Sequence, residues 1–551
     1  MVTGANFLLS EKRLTAIAVL IFIFSFNILT PQEPSGSFFY RIYFRDKGKK
    51  EISDYTPGEL VSTRSVERRI RNGIPNIDNK DIPVADEYLN EISRKGLKLH
   101  CTSKWMNTAL FESDQPNASD SIISLSFVSD VRIVKTAVKS TSLPGKLDLR
   151  ASNAGNNQAG NHLLQTNGYL LHESGFTGTG VLIAILDAGF AGSESINSLN
   201  DIRQRNGIKA TYDFIEKKQN VYDHHNHGTA VFSILSGNIP GSLDGSAPGS
   251  DYILLRTEDE TSEFPSEEDF WVAGAEFADS AGADIINSSL GYFEFDDPSM
   301  NYKYSEMDGN STFISAAADI AASRGILVVS SAGNERTGSW KYLTAPADAD
   351  SVIAVGAVDR NGVIASFSSS GPTFDRRIKP DVVAQGVTMP FQVKDNVERG
   401  SGTSYSCPVI TGLCACLMQA VPEATAFEIM TSLRSSSDRY NIPDTLYGYG
   451  IPDMSAALQS LQAKYQPSGL ENTVTFPNPF RDELTIYFKF NPEWLRVEII
   501  SISGTLIYRR EYNHYISRWL LLDDIGRIPP GLYFIRLHTS AGKEVHKIIK
   551  M

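Results

Sequence analysis

Apolar and polar positions alternate along this chain in three different rhythms. Residues 39–44, Phe-Tyr-Arg-Ile-Tyr-Phe, alternate as a strand does. Residues 63–72 predict an Arg-rich amphipathic helix, and residues 84–95 a second helix that ends near Gly96. Runs at 97–101, 106–111 and 131–134 predict further strands, so residues 37–140 read as a small α+β domain. From 155 to 462 the rhythm changes: short apolar runs at 181–186, 252–255 and 326–329 alternate with helical runs. That is the signature of a parallel sheet covered on both faces. Val409, Ile410, Gly412, Leu413, Ala415 and Leu417 predict a buried helix, with Pro408 in its first turn, where a missing N–H is least costly. After residue 473 the strand candidates are 484–488, 496–501, 506–510, 519–522, 531–538 and 546–550, a β-sandwich pattern. The fold class expected is α/β, a doubly wound parallel sheet, with a small α+β domain before it and an all-β sandwich behind.

Residues 139–158, rich in Ser, Gly and Asn, and residues 467–469, Pro-Ser-Gly, read as linkers. Lys12 and Arg13 precede an apolar run over 14–29, shorter than the roughly 20 residues of a membrane-spanning helix. Residues 1–30 are therefore expected to be a signal peptide, with a short membrane anchor as the rival. A net charge of -13 argues against nucleic acid as a partner. The cysteines are Cys101, Cys407, Cys414 and Cys416. On a helix Cys407 and Cys414 stand roughly 10 Å apart along the axis, beyond disulfide reach, so buried thiols are expected rather than a disulfide framework.

The chemistry gathers around Gly402-Thr403-Ser404-Tyr405-Ser406-Cys407-Pro408. Ser404 is placed at or just before a helix N-terminus, beside unpaired N–H groups and the positive end of the dipole. A serine hydroxyl needs a base, an orienting acid and an oxyanion donor. Asp187 ends a buried strand, His227 begins a helix in His-Gly-Thr, and Asn334 follows another strand in Ser331-Ala332-Gly333-Asn334. The order Asp, His, Ser is one of three chain orders in which this triad occurs.

Those motifs resemble the subtilisin-like serine proteases over more than half the chain. Asn287-Ser288-Ser289-Leu290-Gly291 and Ser331-Ala332-Gly333 resemble the two walls of the family's specificity pocket. The resemblance implies a serine endopeptidase acting through an acyl-enzyme. Asp187, His227 and Ser404 would be catalytic, Asn334 would serve the oxyanion, and Ser289, Leu290, Gly291, Ser331, Ala332 and Gly333 would bind substrate. No cofactor is required; the family often carries structural calcium, but no ligand spacing assigns a site. The N-terminal domain resembles the family's propeptide in position and pattern. Pro477-Asn478-Pro479-Phe480, the segment 528–535 and the terminal Lys547-Ile548-Ile549-Lys550 resemble the type IX secretion sorting domain. The implied domains are a signal peptide (1–30), a propeptide (37–140), a peptidase (155–462) and a sorting domain (473–551). The implied partners are protein or peptide substrates, the chain's own propeptide and the outer-membrane secretion machinery. The implied location is outside a Gram-negative cell or on its surface.

Several expectations are less sharp. Ser266 and Asp269 read as a capping box, Glu258 to Glu260 as a solvated loop or a cleft edge that attracts cations, and His224 and His225 as exposed loop residues. Ser406, Cys407 and Tyr405 depart from the usual family pattern around the nucleophile. Two alternatives are carried: a catalytically silent relative serving as a binding module, and an acid-active protease with a glutamate base, against which His-Gly-Thr argues. An accessory carbohydrate-binding β-domain is the rival for the C-terminal module.

Overall fold

The computed structural model describes residues 37–136, 160–465 and 473–551, apart from 489–491, 514–518 and 541. The signal-like segment 1–30 and both linkers lie outside the described residues. The chain forms two compact units, the first holding the N-terminal and parallel-sheet domains and the second the C-terminal strands.

In the first unit, β1 (Phe38–Phe44), α1 (Thr63–Arg71), α2 (Asp86–Arg94), β2 (Lys98–Ser103), β3 (Thr108–Ser113) and β4 (Val128–Lys135) make the N-terminal domain. Its antiparallel sheet has the order β2-β3-β1-β4. Alternation on β1 has a double use. Tyr40 and Ile42 face the domain's own core with Ile92 and Phe111, while Phe39 joins the core of the neighbouring parallel-sheet domain.

The parallel sheet comprises β5 (Leu182–Asp187), β6 (Ile208–Asp213), β7 (Asp251–Arg256), β8 (Ile285–Ser288), β9 (Leu327–Ser331), β10 (Val352–Val358) and β11 (Val382–Gln385). Their spatial order is β11-β10-β9-β8-β5-β7-β6, all parallel. Leu182, Ala184 and Leu186 of β5 pack against α4 (Ser266–Ala281) and α5 (Phe313–Ser323). Ile183 and Ile185 point the other way, toward the layer where α3 (His227–Ser236) packs on α6 (Thr403–Ala420). The chain leaves β5 in one direction for β6 and β7, then returns to build β8 to β11 on its other side. Beside such a reversal, the carboxyl ends of the strands form the crevice where doubly wound sheets bind ligands.

The charged stretches differ from their sequence reading. Ser266 is the first residue of α4 and not its cap; instead the Glu267 carboxylate accepts the Phe264 N–H at 3.1 Å. Glu267, Glu268 and Asp269 are all buried. Asp269 takes a bidentate pair from Arg41 of β1, at 2.9 and 2.6 Å. The arginines of α1 are equally committed. Asp279 accepts from Arg68 and, at 2.7 Å, from Arg69, which also pairs with Asp81 at 2.7 Å. Arg64 and Arg71 converge on Asp284. Nor is the 258–260 stretch a solvated loop: Glu258 is buried, Glu260 accepts from Arg256 at 2.7 Å, and Lys135 of β4 reaches Asp259 at 3.5 Å. An acidic helix with a basic neighbour far away in sequence looks solvated until the two domains meet.

Pro408 is likewise inside α6, five residues past its start, and not in the first turn. The second unit holds two antiparallel sheets. One is β14 (Thr473–Phe476), β15 (Leu484–Phe488) and β18 (Trp519–Leu522), in the order 14-15-18; the other is β16 (Trp494–Ser501), β17 (Leu506–Asn513), β19 (Gly531–Thr539) and β20 (Gly542–Lys550), in the order 17-16-19-20. Leu484, Ile486, Val497, Ile499, Ile535 and Leu537 share one core, as alternating inner-face residues of a sandwich do. The antiparallel hairpin β12 (Met389–Gln392) and β13 (Val397–Gly400) precedes α6 in the first unit.

Candidate active site

Asp187 is the last residue of β5 and His227 the first of α3, and both are buried. His227 Nδ1 lies 2.8 Å from Asp187 Oδ1, which also accepts the Ala188 N–H at 2.9 Å. Glycines permit this approach. A Cβ on Gly228 would stand 2.5 Å from the Gly189 carbonyl oxygen and 3.0 Å from Asp187 Cβ. Gly189 itself has φ +147, and a Cβ there would stand 2.6 Å from the carbonyl oxygen of His225. Burial works against a charged His227. The Asp187 carboxylate beside it and the charge of Glu258 outweigh that, so its pKa lies above the ordinary histidine value. His225 accepts the His227 N–H at 3.1 Å and so caps α3. His224 sits among Glu216, Asp213, Asp223 and Glu260. Both are half-buried rather than exposed loop residues.

Ser404 is in the first turn of α6. Its hydroxyl donates to the Ser289 carbonyl at 3.1 Å, and the Ser289 hydroxyl donates to the Ser404 carbonyl at 3.0 Å. Pro408 explains the second bond: residue 408 is the helical donor to carbonyl 404, and proline has no N–H. Among the described residues the Ser404 hydroxyl therefore bonds to the wall at the end of β8, not to His227.

Asn334 is fixed by its carbonyl oxygen, which accepts the Thr403 N–H at 2.9 Å and the Thr403 hydroxyl at 3.1 Å. Its NH2 group is left to face the Gly402 side of the crevice. On the two walls, Ser289, Leu290, Ser331 and Ala332 are buried, Gly333 is half-buried and Gly291 is exposed. They meet where the Ser331 hydroxyl reaches the Leu290 carbonyl at 3.5 Å. Thr344 fills the space behind both. A Cβ on Gly291 would come within 2.0 Å of its hydroxyl, and one on Gly333 within 3.0 Å of its methyl. No motif pointed to Thr344, nor to Ser289 as a hydrogen-bond partner of Ser404.

The thiols beside the site are free. Cys407 lies 3.4 Å from Asn287 Oδ1, and burial pushes its pKa up to about 12, so it is no nucleophile. Among the described residues two side-chain groups could hold a cation, Asp213 with Glu216 and His224, and Glu258 with Glu263 and Glu267; in each, the ligand atoms lie within 4.8 Å of one another.

The Asp–His pair, the helix-start serine and the side-chain amide lie at the strand ends of a doubly wound sheet, and the comparisons place the chain among the serine hydrolases. Residues 178–450 match the Subtilase family, residues 39–148 the Peptidase S8 propeptide domain of Bacteroidota, and residues 474–551 the Secretion system C-terminal sorting domain. The chain is 32% identical over 295 residues to Subtilisin of Bacillus pumilus, covering 52% of this chain and 94% of that one. It is also 32% identical to Subtilisin E of Bacillus subtilis (strain 168), covering 52% and 68%, and 28% identical over 289 residues to Subtilisin Savinase of Lederbergia lenta, covering 52% and 93%. The chain belongs to the subtilase family: it is a serine-type endopeptidase with a propeptide and a C-terminal sorting domain, secreted or held at the cell surface.

Proposed function

We propose that the chain cleaves peptide bonds through an acyl-enzyme on Ser404, with His227 as the base and Asp187 as its orienting acid. The observation that carries this reading is the 2.8 Å Asp187–His227 contact, at the strand ends where α6 also presents Ser404. On substrate binding the Ser404 hydroxyl turns from the Ser289 carbonyl to His227 Nε2. His227 takes its proton as Oγ attacks, then hands it to the leaving amine. Asp187 keeps the proton on Nδ1 and stabilises the imidazolium. The Asn334 NH2 and the Ser404 N–H donate to the oxyanion. The backbone edges at Ser289-Leu290-Gly291 and Ser331-Ala332-Gly333 take an extended substrate as an added strand, with Thr344 limiting the depth between them.

The domain limits proposed are 1–30, 37–140, 155–462 and 473–551, with the propeptide bound until it is cut and the sorting domain engaging the secretion machinery. A fluorophosphonate probe is expected to label the mature enzyme and to leave Ser404→Ala unlabelled. Absence of any label would favour the silent binding module. N-terminal sequencing and intact mass of the exported protein test the boundaries; a whole-chain mass outside the cell would refute both the propeptide and the sorting assignments.

A further inference from the structure

Tyr405, the residue after Ser404, is the largest side chain of the nucleophile segment and is 2% exposed. Its ring stacks near two others. The His227 imidazole is 6.3 Å away, centroid to centroid, at an interplanar angle of 30°, and Phe391 of β12 is 5.2 Å away at 23°. Both distances fall in the range of offset-stacked rings. The partner strand is shaped for this stack: a Cβ on Gly400 of β13 would stand 2.8 Å from Phe391 and 2.9 Å from the Tyr405 ring. Burial first, then the charges of Asp187 and Glu398, raise the phenol pKa far above its usual value, so the ring stays neutral.

An imidazole anchored only through Nδ1 can still tip about that hydrogen bond. The Asp187 contact fixes the direction of the ring but not its tilt. A buried ring along one face limits that tilt, and Phe391 prevents the ring itself from backing away. The same ring is covalently next to the nucleophile, in the first turn of one helix, so base and serine are held by a single element.

We infer that Tyr405 is a positioning residue, whose ring, backed by Phe391, holds the His227 imidazole at the tilt from which Nε2 meets Ser404. This rests on the triad reading above.

The test uses enzyme matured from the full chain, with active sites counted by fluorophosphonate. Tyr405→Phe is expected to behave as wild type. Tyr405→Leu is expected to lower kcat roughly tenfold, the order expected for a misoriented base, with KM within about twofold. Phe391→Leu should lower kcat by less, again with KM within about twofold, and it serves as the probe should Tyr405→Leu fail to mature. Unchanged kcat in whichever leucine variant matures would overturn the inference, as would a loss in Tyr405→Phe as large as in Tyr405→Leu. Labelling of Ser404→Ala would instead overturn the triad reading, so the two failures are distinguishable.

Discussion

Asp279 offers the most demanding test of how the propeptide is held. It sits in the last turn of α4, where the helix dipole disfavours a carboxylate. It is buried, and it accepts from Arg68 and Arg69 of α1, both also buried. Replacing it with leucine removes the anion and leaves both guanidinium groups in place. Arg69 retains Asp81, but Arg68 retains only neutral acceptors such as the Ala283 and Arg324 carbonyls. Breaking one side of a buried ion pair costs about 3–5 kcal/mol. Charged entirely to docking, that is roughly a 10²- to 10⁴-fold weaker complex. Once the propeptide is cut, as proposed above, only non-covalent contacts hold it, so serial dilution of the processed complex should reveal activity. Asp279→Leu should become active at concentrations where wild type stays latent, while the freed enzymes share one kcat because Asp279 is remote from the crevice. Coincident dilution curves, within about threefold, would show that these ion pairs do not hold the propeptide.

Glu258→Gln removes a charge that raises the His227 pKa, so the acid limb of kcat/KM should move to lower pH; an unmoved limb refutes the coupling. Ser289→Ala leaves the Ser404 carbonyl without its donor and should lower stability by about 1–3 kcal/mol in denaturant melts. Adding Pro408→Ala restores a helical N–H and should recover most of that loss, and a simply additive double variant would refute this. Burial raises the Glu268 carboxyl from 4.5 to about 7 despite Arg41, so the folded chain binds the extra proton. Stability from this group is present below about 4.5 and falls as pH rises toward about 7. Glu268→Gln should flatten that part of a Tm-versus-pH curve.

The parallel sheet, its strand ends and the positions of Asp187, His227, Ser404 and Asn334 on them were legible because each lies in a short local pattern: an apolar run ending in Asp187 or shortly before Asn334, a glycine next to His227 or two residues before Ser404. Other features depended on partners distant in the chain. The arginines of α1 and the acids of α4 each look like a solvated face when read alone. Only their pairing across two domains explains why Asp269 and Asp279 are buried. Pro408 was misplaced because a proline in a helix is expected at the start. Here the carbonyl it abandons is served by Ser289, 115 residues earlier in the chain. Thr344 gave no local signal, because its significance is steric and lies opposite two glycines.

The three thiols of α6 have a practical consequence. Alkylating agents, mercurials and peroxide act on an accessible thiolate, and Cys407, Cys414 and Cys416 are fully enclosed, with burial raising the pKa of each. An enzyme working in an oxidising exterior thus carries sulfur within a few residues of Ser404, its proposed nucleophile, without exposing it to that environment. Its folding needs no pairing of cysteines, and an assay buffer can contain oxidant or reductant without altering α6.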